Sequence, residues 1–369
     1  VMKILLINHY AGSPNLGMEF RPYYVTKGWV KLGHEVLIVG GSYSHLRKVQ
    51  PQSCEEMIDD VRYRWVKVNP YKGNGIGRII SMFSFVTKLY CNYRRYLRNF
   101  KPDIVIASST YPLDIYPAYR IARHYHAKLI YEVHDLWPLS PMELGGYSKK
   151  HPFIRIMQKA EDDCYRYADA VVSMLPKAEE HMREHGLTRD KFHYVPNGIV
   201  LSDWNNPKGI PEEHGLLLSK LRAEGKFIVG FAGAHGIANS LYAVIDAVSS
   251  LTEQNVVLVL VGGGQEKENL IKYAHKKGVT NVYFLLPINK LAIPNLLKEM
   301  DVLYIGLQKQ SLFRFGISPN KMFDYMMAAK PIIQAIDAGN NLVREADCGI
   351  DVEPVSYTHL RAHETELHL

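Results

Sequence analysis

Short apolar runs alternate with helix-length amphipathic segments from one end of this chain to the other, an order that parallel α/β sheets accommodate and few other architectures do. In the first half, Lys3 to Asn8, Glu35 to Val39, Asp103 to Ala107, Lys128 to Val133 and Ala170 to Met174 read as strands. In the second, Lys226 to Gly233, Asn255 to Gly262, Asn281 to Leu285, Asp301 to Gly306 and Pro331 to Ala335 do the same. Each half carries enough strands to close its own sheet, and 369 residues is a length suited to two domains. Between them, VPNGI (195–199) and DWNNPKG (203–209) are rich in turn-forming residues, which places the boundary near residue 200 and predicts domains over 1–198 and 199–354. Residues 355–369 break the pattern and are set aside as a non-native-looking tail, so the second domain is expected to lack its closing helices. The expected fold class is α/β, with two Rossmann-like domains whose parallel sheets face a central cleft.

Composition narrows the setting. No apolar run approaches the about 20 residues that a membrane-spanning helix needs. The opening VMKILLINHY turns polar at Asn8 and His9, which suits a first core strand and not a cleaved leader. Cys54, Cys91, Cys164 and Cys348 lie far apart with no CxxC pair, which suggests neither a zinc site nor a disulfide framework and fits a reducing, cytoplasmic location. A net charge of +7 favours anionic partners, and basic residues crowd the stretch 62–101. Within it, Ile79, Phe83, Val86, Tyr90, Tyr93 and Leu97 recur at helical spacing while Lys88, Arg94, Arg95 and Arg98 fall away from that stripe. Such a basic amphipathic helix either packs on its own sheet or docks on anionic lipid. No nucleic-acid readout module accompanies the charge, which argues against a nucleic-acid partner.

Ligands of doubly wound sheets bind beyond the carboxyl ends of the strands, so chemistry is sought there. After the first strand, Gly12 and Gly17 flank a loop that leads into a helix expected from Met18 to Leu32; such a loop offers amides to an anion or is simply a tight turn. Its spacing is not GxGxxG and no carboxylate closes the second strand, which argues against a dinucleotide site. EVHDLWP (132–138) sets His134 and Asp135 at a strand end, either to contact a sugar or to cap a polar turn. In the second half, GFAGAHGIANSL (230–241) has the form of a phosphate-binding turn around Gly233 and Gly236, and the turn at Gly263 suits the approach of a flat nucleobase. In SPNKMFDYMMAAKPII (318–333), Ser318 and Asn320 lead a helix on which Lys321 and Asp324 share a face, fitted to a phosphate and to ribose hydroxyls respectively or paired with each other. A helix terminus offers about half an elementary charge, whereas a departing nucleoside diphosphate carries on the order of two. Extra cations are therefore required, and Lys321, Arg314 and Arg21 are the candidates.

Taken together and in this order, LINHYAGSPNLGMEFRPYY, KLGHEVLIV, EVHDLWP, VPNGI, GFAG, LVGGG and SPNKMFDYMMAAKPII resemble the retaining family 4 glycosyltransferases of the GT-B fold, over residues 2 to about 353. GMEFRPYY and HGIAN look most like the bacterial O-antigen and capsule enzymes, including N-acetylfucosamine transferases. The resemblance implies a UDP-sugar donor, a polyprenyl-diphosphate-linked saccharide acceptor in surface polysaccharide synthesis, and retention at the anomeric carbon. It further implies no metal or other cofactor, with which the lack of a DxD triplet agrees, and a peripheral position at the inner face of the cytoplasmic membrane. It assigns His134 to the donor sugar and reaction centre, with Asp135 and Glu19 as further catalytic candidates, and Asp324 to the ribose. Gly12 and Gly17 belong to the loop facing the diphosphate and acceptor, and Leu285 and Pro287 join the nucleotide-binding set. Two departures stand out. The arginine and lysine that commonly grip the diphosphate after the second domain's first strand are replaced by AHGIANS, and Gly316 occupies the first position of the paired-glutamate motif, whose work would pass to amides around Ile317 and Ser318. The mechanism implied is front-face substitution in which the leaving diphosphate helps to deprotonate the acceptor. A GT-B epimerase and a noncatalytic nucleotide-sugar-binding protein are the alternatives.

Overall fold

The computed structural model describes residues 1–73 and 75–354; the tail set aside above lies outside the described residues. The chain divides into two compact units, Val1–Pro196 and Asn197 onward. In the first, β1 (Lys3–Ile7), β2 (Glu35–Gly41), β3 (Glu55–Ile58), β4 (Val61–Val66), β5 (Ile104–Ala107), β6 (Lys128–Val133), β7 (Ala170–Ser173) and β8 (Phe192–Tyr194) form one sheet in the order β3-β4-β2-β1-β5-β6-β7-β8. All pairs are parallel except the antiparallel β3–β4 edge. The central strands are apolar on both faces, as a sheet covered by crossover helices requires: Leu5, Ile7, Leu37, Ile38 and Val105 are all fully buried.

In the second unit, β9 (Phe227–Ala232), β10 (Val256–Val261), β11 (Val282–Leu285), β12 (Val302–Gly306), β13 (Ile332–Ala335) and β14 (Gly349–Asp351) build an all-parallel sheet in the order β11-β10-β9-β12-β13-β14. Its two faces follow the period of two along each strand. Ile228, Val257, Val259, Val261, Leu303 and Ile305 enter one core cluster, whereas Val229, Phe231, Leu258, Leu260, Val302 and Tyr304 enter the other. Two Rossmann-like domains with parallel sheets are thus present.

The first-half strands β3, β4 and β8, and β14 in the second, were not read from the sequence. In β4, Arg62 and Arg64 obscured an alternation in which Val61, Tyr63 and Trp65 are buried. Arg64 fits there because its guanidinium donates to Glu55 and to the Tyr96 carbonyl. The basic stretch is consequently not one surface patch: Lys88 donates to the Lys67 carbonyl and Arg98 to Glu55. The helix expected from Met18 begins at Arg21, because residues 13–17 fold back on themselves with Ser13 and Gly17 exchanging backbone hydrogen bonds.

The helix Ile76–Leu97 also differs from expectation in its rotation. Its buried stripe is Met82, Phe85, Val86, Leu89, Tyr93 and Leu97, while Ile76, Ile80, Phe83 and Tyr90 are exposed. Phe85 wins the core position because its ring stacks on that of His9, 4.6 Å away at 5°. Among the described residues, no helix is long and apolar enough to cross a membrane. This rotation makes a measurable contrast between two phenylalanines on one helix. In urea unfolding, Phe85→Ala should cost about 3–5 kcal/mol, and Phe83→Ala should stay within about 0.5 kcal/mol of the parent.

Candidate functional site

In the first unit, the carboxyl ends of β1, β5 and β6 bring Asn8, Ser108 and His134 together. Asn8 Nδ2 donates to the Ser108 carbonyl at 2.6 Å. The Ser108 hydroxyl donates to Glu132 Oε2 at 2.6 Å and lies 2.9 Å from His134 Nε2, which is itself 3.2 Å from the same carboxylate oxygen. Arg21 Nε donates to the other oxygen, Glu132 Oε1, at 2.9 Å. Glu132 near the end of β6 and His134 just beyond it are two apart, so the chain turns both to one side. Burial alone would raise the Glu132 pKa, but the charge and hydrogen bond of His134, with Arg21 and Ser108, hold it well below the carboxylate range. For His134, burial pulls the pKa down, and the bond and charge of Glu132, aided by Glu19, outweigh it and hold the imidazole above its usual 6.5.

His134 is therefore a buried imidazole poised to carry a proton or donate a hydrogen bond near neutral pH. Its partner is Glu132. Asp135 instead accepts from its own turn, from the Leu136 amide at 2.9 Å and the Ser140 hydroxyl at 2.6 Å, so the structure realises the turn-capping alternative there. Glu132 and Ser108 were the functional residues the sequence reading passed over, although the shared-face position of Glu132 was a usable signal.

Arg21, expected on the diphosphate, is committed elsewhere: besides Glu132 it donates to the carbonyls of Val195 and Pro196, each at 3.0 Å. The Gly12/Gly17 loop does not present its amides to a ligand either. Gly12 N–H donates to the Glu19 carbonyl at 2.8 Å, Gly17 N–H to Ser13 at 2.8 Å, and Glu19 N–H to Tyr10 at 3.2 Å. Both glycines are demanded by packing, since a Cβ on Gly12 would lie 1.9 Å from the Gly17 carbonyl oxygen and Gly17 has φ +112°.

In the second unit, the turns after β9 and β10 pack backbone to backbone. A Cβ on Gly262 would sit 1.9 Å from the Gly233 carbonyl oxygen, and one on Gly264 2.3 Å from that of His235. Glycine is required at 262 and 264, whereas Gly263 faces only Pro287 at ordinary contact distance and Gly236 faces open space. The amides expected to cradle phosphate are partly spent in this packing: Gly233 N–H donates to Val261 and His235 N–H to Gly263. Nor does Gly233 feed a helix directly, because the turn Ile237–Asn239 intervenes before the helix Leu241–Ser249.

Charge arrives instead from Lys321, on the helix Asn320–Met327. Its ammonium lies over the Phe231 ring, 4.6 Å from the centroid, donates to Asn239 Oδ1, and sits 3.4 Å from where a side chain on Gly233 would begin. A Cβ at 233 would meet the Phe231 ring first, at 3.2 Å, and touch the lysine at ordinary contact distance. Burial lowers the Lys321 pKa to about 8, and burial together with Lys267 and Lys321 lowers that of His235 to about 4. Both ring nitrogens of His235 are buried without a hydrogen-bond partner. Lys267 ties the two turns to β11 by donating to the carbonyls of Gly262 (2.9 Å) and Leu285 (2.7 Å). Leu285 is buried with its carbonyl so engaged, and Pro287 is exposed.

Asp324 does not pair with Lys321; its carboxylate is buried against Lys290, a cation the sequence reading did not single out. The amide of Ile317, expected to stand in for the missing glutamate, donates to Asn340 Oδ1 at 2.8 Å. Ser318 accepts from Asn197 through both its hydroxyl and its carbonyl, Asn320 is exposed, and Arg314 is exposed beside the Phe315 ring.

Residues 17–198 match the family described as the glycosyl transferase 4-like domain, and residues 218–362 match the glycosyl transferases group 1. A protein named for teichuronic acid biosynthesis, the glycosyltransferase TuaH of Bacillus subtilis (strain 168), is 24% identical over 56% of this chain and 50% of its own length, so the chain spans about half of that relative. Among solved structures, Alr3699/HepE of Anabaena in complex with UDP-glucose superposes with a TM-score of 0.63 at 17% identity, covering 98% of this chain and 88% of that one. Sucrose-phosphate synthase of Thermosynechococcus elongatus does so with a TM-score of 0.67 at 14% identity, covering 100% and 90%. At these identities the superpositions establish the shared fold.

The Glu132 network carries its own test. Glu132→Gln leaves the Arg21 guanidinium buried without its counter-charge and should destabilise the protein by about 3–5 kcal/mol. The Glu132 contribution is present above the ordinary carboxyl value of 4.5 and lost as pH falls through its depressed folded value; that of His134 is present below 6.5 and lost as pH rises through its raised one. The stability difference between parent and variant should therefore be largest between pH 4.5 and 6.5, and the His134 ring signal in NMR should titrate at lower pH in the variant.

Proposed function

This chain belongs to the GT-B glycosyltransferases, and from that premise we propose that it transfers a sugar, with retention, from a UDP-sugar to a lipid-linked saccharide during surface polysaccharide synthesis. The observation that carries the reading is the desolvated Lys321 ammonium held beside Gly233 at the end of β9. It supplies the cation whose usual place after that strand is empty of basic residues. An ammonium in partial burial interacts with a diphosphate more strongly than one in water, because less solvent screens it. The neighbouring Asp324 accepts from ribose hydroxyls, and Leu285 to Pro287 flank the base. His134 holds the donor sugar in the first unit, its proton kept in place by Glu132. No divalent metal takes part in the transfer; Lys321 and the backbone dipoles stabilise the leaving diphosphate. The HepE complex with UDP-glucose and the polysaccharide role in the name of TuaH support the donor and pathway classes.

Membrane contact belongs to the same reading. On the helix Ile76–Leu97, Ile76 (75% exposed), Ile80 (55%), Phe83 and Tyr90 form a solvent-facing apolar stripe that ends at the exposed Arg94 and Arg95. That is the composition of a surface that inserts side chains into an anionic leaflet while its arginines meet the headgroups. It would keep the enzyme at the inner face of the membrane, next to its acceptor.

Two experiments decide these points. In calorimetry, Lys321→Met should weaken UDP binding by about 10- to 100-fold, the ~1.5–3 kcal/mol of a charge-assisted hydrogen bond. Wild-type affinity should be full below pH 8 and decline above it, with proton uptake on binding near that pH. Unchanged affinity and no proton uptake in the comparison would overturn the assignment of Lys321, and an inverted anomer in the NMR spectrum of the product would overturn retention. Separately, vesicles containing phosphatidylglycerol should sediment with the wild type and far less with a paired Ile80→Asp, Phe83→Asp variant; equal sedimentation would remove the docking face.

A further inference from the structure

The helix Pro152–Tyr167 and the short helix Glu179–Glu184 meet at a cluster of ligand-type side chains far in sequence from the residues discussed above. Glu161, His181 and His185 each direct one donor atom to a common point, the three lying within 4.8 Å of one another. His181 and His185 are four apart, one helical turn, which puts both rings on the same side of the chain. His181 Nε2 is 3.3 Å from Glu161 Oε1, and His185 Nδ1 is 3.0 Å from Asp162 Oδ1.

One amide serves several members of this cluster. The Gln158 amide nitrogen lies 2.8 Å from Glu161 Oε2, 2.9 Å from Asp162 Oδ1 and 2.9 Å from His185 Nδ1, yet it carries only two hydrogens. If His185 Nδ1 is protonated, it donates to Asp162 while the two Gln158 hydrogens go to Glu161 and Asp162. If it is not, its lone pair faces a carboxylate oxygen at 3.0 Å. The amide is held in this orientation, because its oxygen would otherwise face Glu161 and Asp162. The lone pairs of Glu161, His181 and His185 thus lie close enough together for one cation to be coordinated by all three.

We propose that Glu161, His181 and His185, with Asp162 as the fourth donor, bind a zinc ion that staples the helix Glu179–Glu184 to the helix Pro152–Tyr167. Two imidazoles with carboxylate oxygens are a borderline donor set that suits Zn²⁺ better than Mg²⁺ or Ca²⁺, which prefer all-oxygen shells. Donor atoms around tetrahedral zinc stand about 3.3 Å apart, so the three sides close inward by small side-chain rotations. The supporting shell exists already: the Tyr165 hydroxyl donates to Glu161 Oε1 at 3.0 Å and Gln158 holds the second oxygen. The Glu161 side chain is 1% exposed and anchors the inner side, while His185 at 28% and Asp162 at 42% leave an entry path. The ion would be structural and separate from sugar transfer, closing the loop that contains β7.

Tag-free full-length protein, stripped with a chelator, loaded with zinc chloride and desalted, should retain one zinc per chain by mass spectrometry. Cobalt in its place should give the intense visible absorption of a tetrahedral site, and zinc should raise the thermal midpoint. His181→Gln and His185→Gln should each lose the stoichiometric metal, the cobalt spectrum and the thermal response, while circular dichroism shows the fold intact. Glu161→Gln, which removes the carboxylate charge at nearly constant shape, covers the case in which a histidine variant fails to fold. No retained zinc in the wild type, or equal retention in His181→Gln and His185→Gln, overturns the proposal.

Discussion

The buried carboxylate of Glu132 organises the first domain. A charge taken out of water is costly unless it is answered by partners at hydrogen-bond distance. Here Arg21, Ser108 and His134 answer it from three directions. Arg21 stands at the start of the helix Arg21–Lys31 and reaches both Glu132 in β6 and the last carbonyls of the unit, so one guanidinium ties the beginning of the domain to its end. The same network sets the protonation of His134. Structure and candidate chemistry share one electrostatic origin.

The second domain solves a different problem. Its sheet is apolar on both faces, so polar function is confined to the strand ends, where the turns after β9 and β10 come into backbone contact. Glycine at 262 and 264 permits that approach, and the Lys321 ammonium packs beside Gly233. Lys321, from the helix Asn320–Met327, brings a cation to the end of β9, where the chain itself has no basic residue. Desolvation lowers its pKa to about 8, as burial does to a cation removed from water.

Membership of the GT-B glycosyltransferases and the two-sheet architecture agree with each other, and the details distinguish this chain from a generic one. The loop between Gly12 and Gly17 is closed by its own hydrogen bonds, Arg21 is a structural tie, and Asp324 already has Lys290 as a partner. The basic residues of the stretch 62–101 divide between internal neutralisation at Arg64, Lys88 and Arg98 and an exposed end at Arg94 and Arg95.

Periodicity along the chain was enough to read ten of the strands and the two-domain α/β plan, because alternation of two and 3.6 is dictated by neighbours in sequence and by which faces must leave water. It also marked His134, Gly233, Lys321 and Asp324, since residues after strands and at helix starts are recognisable locally. It misjudged the rotation of the helix Ile76–Leu97, where Phe83 and Phe85 are equally apolar and only stacking on His9 selects one. Pairings between distant segments were decided by the tertiary structure alone: Ser108 with Glu132 and His134, Lys321 with Gly233, Lys290 with Asp324, and Glu161 with His181 and His185. Strand order and crossover geometry bring these residues together, and neither is encoded in the spacing of side chains along a single element.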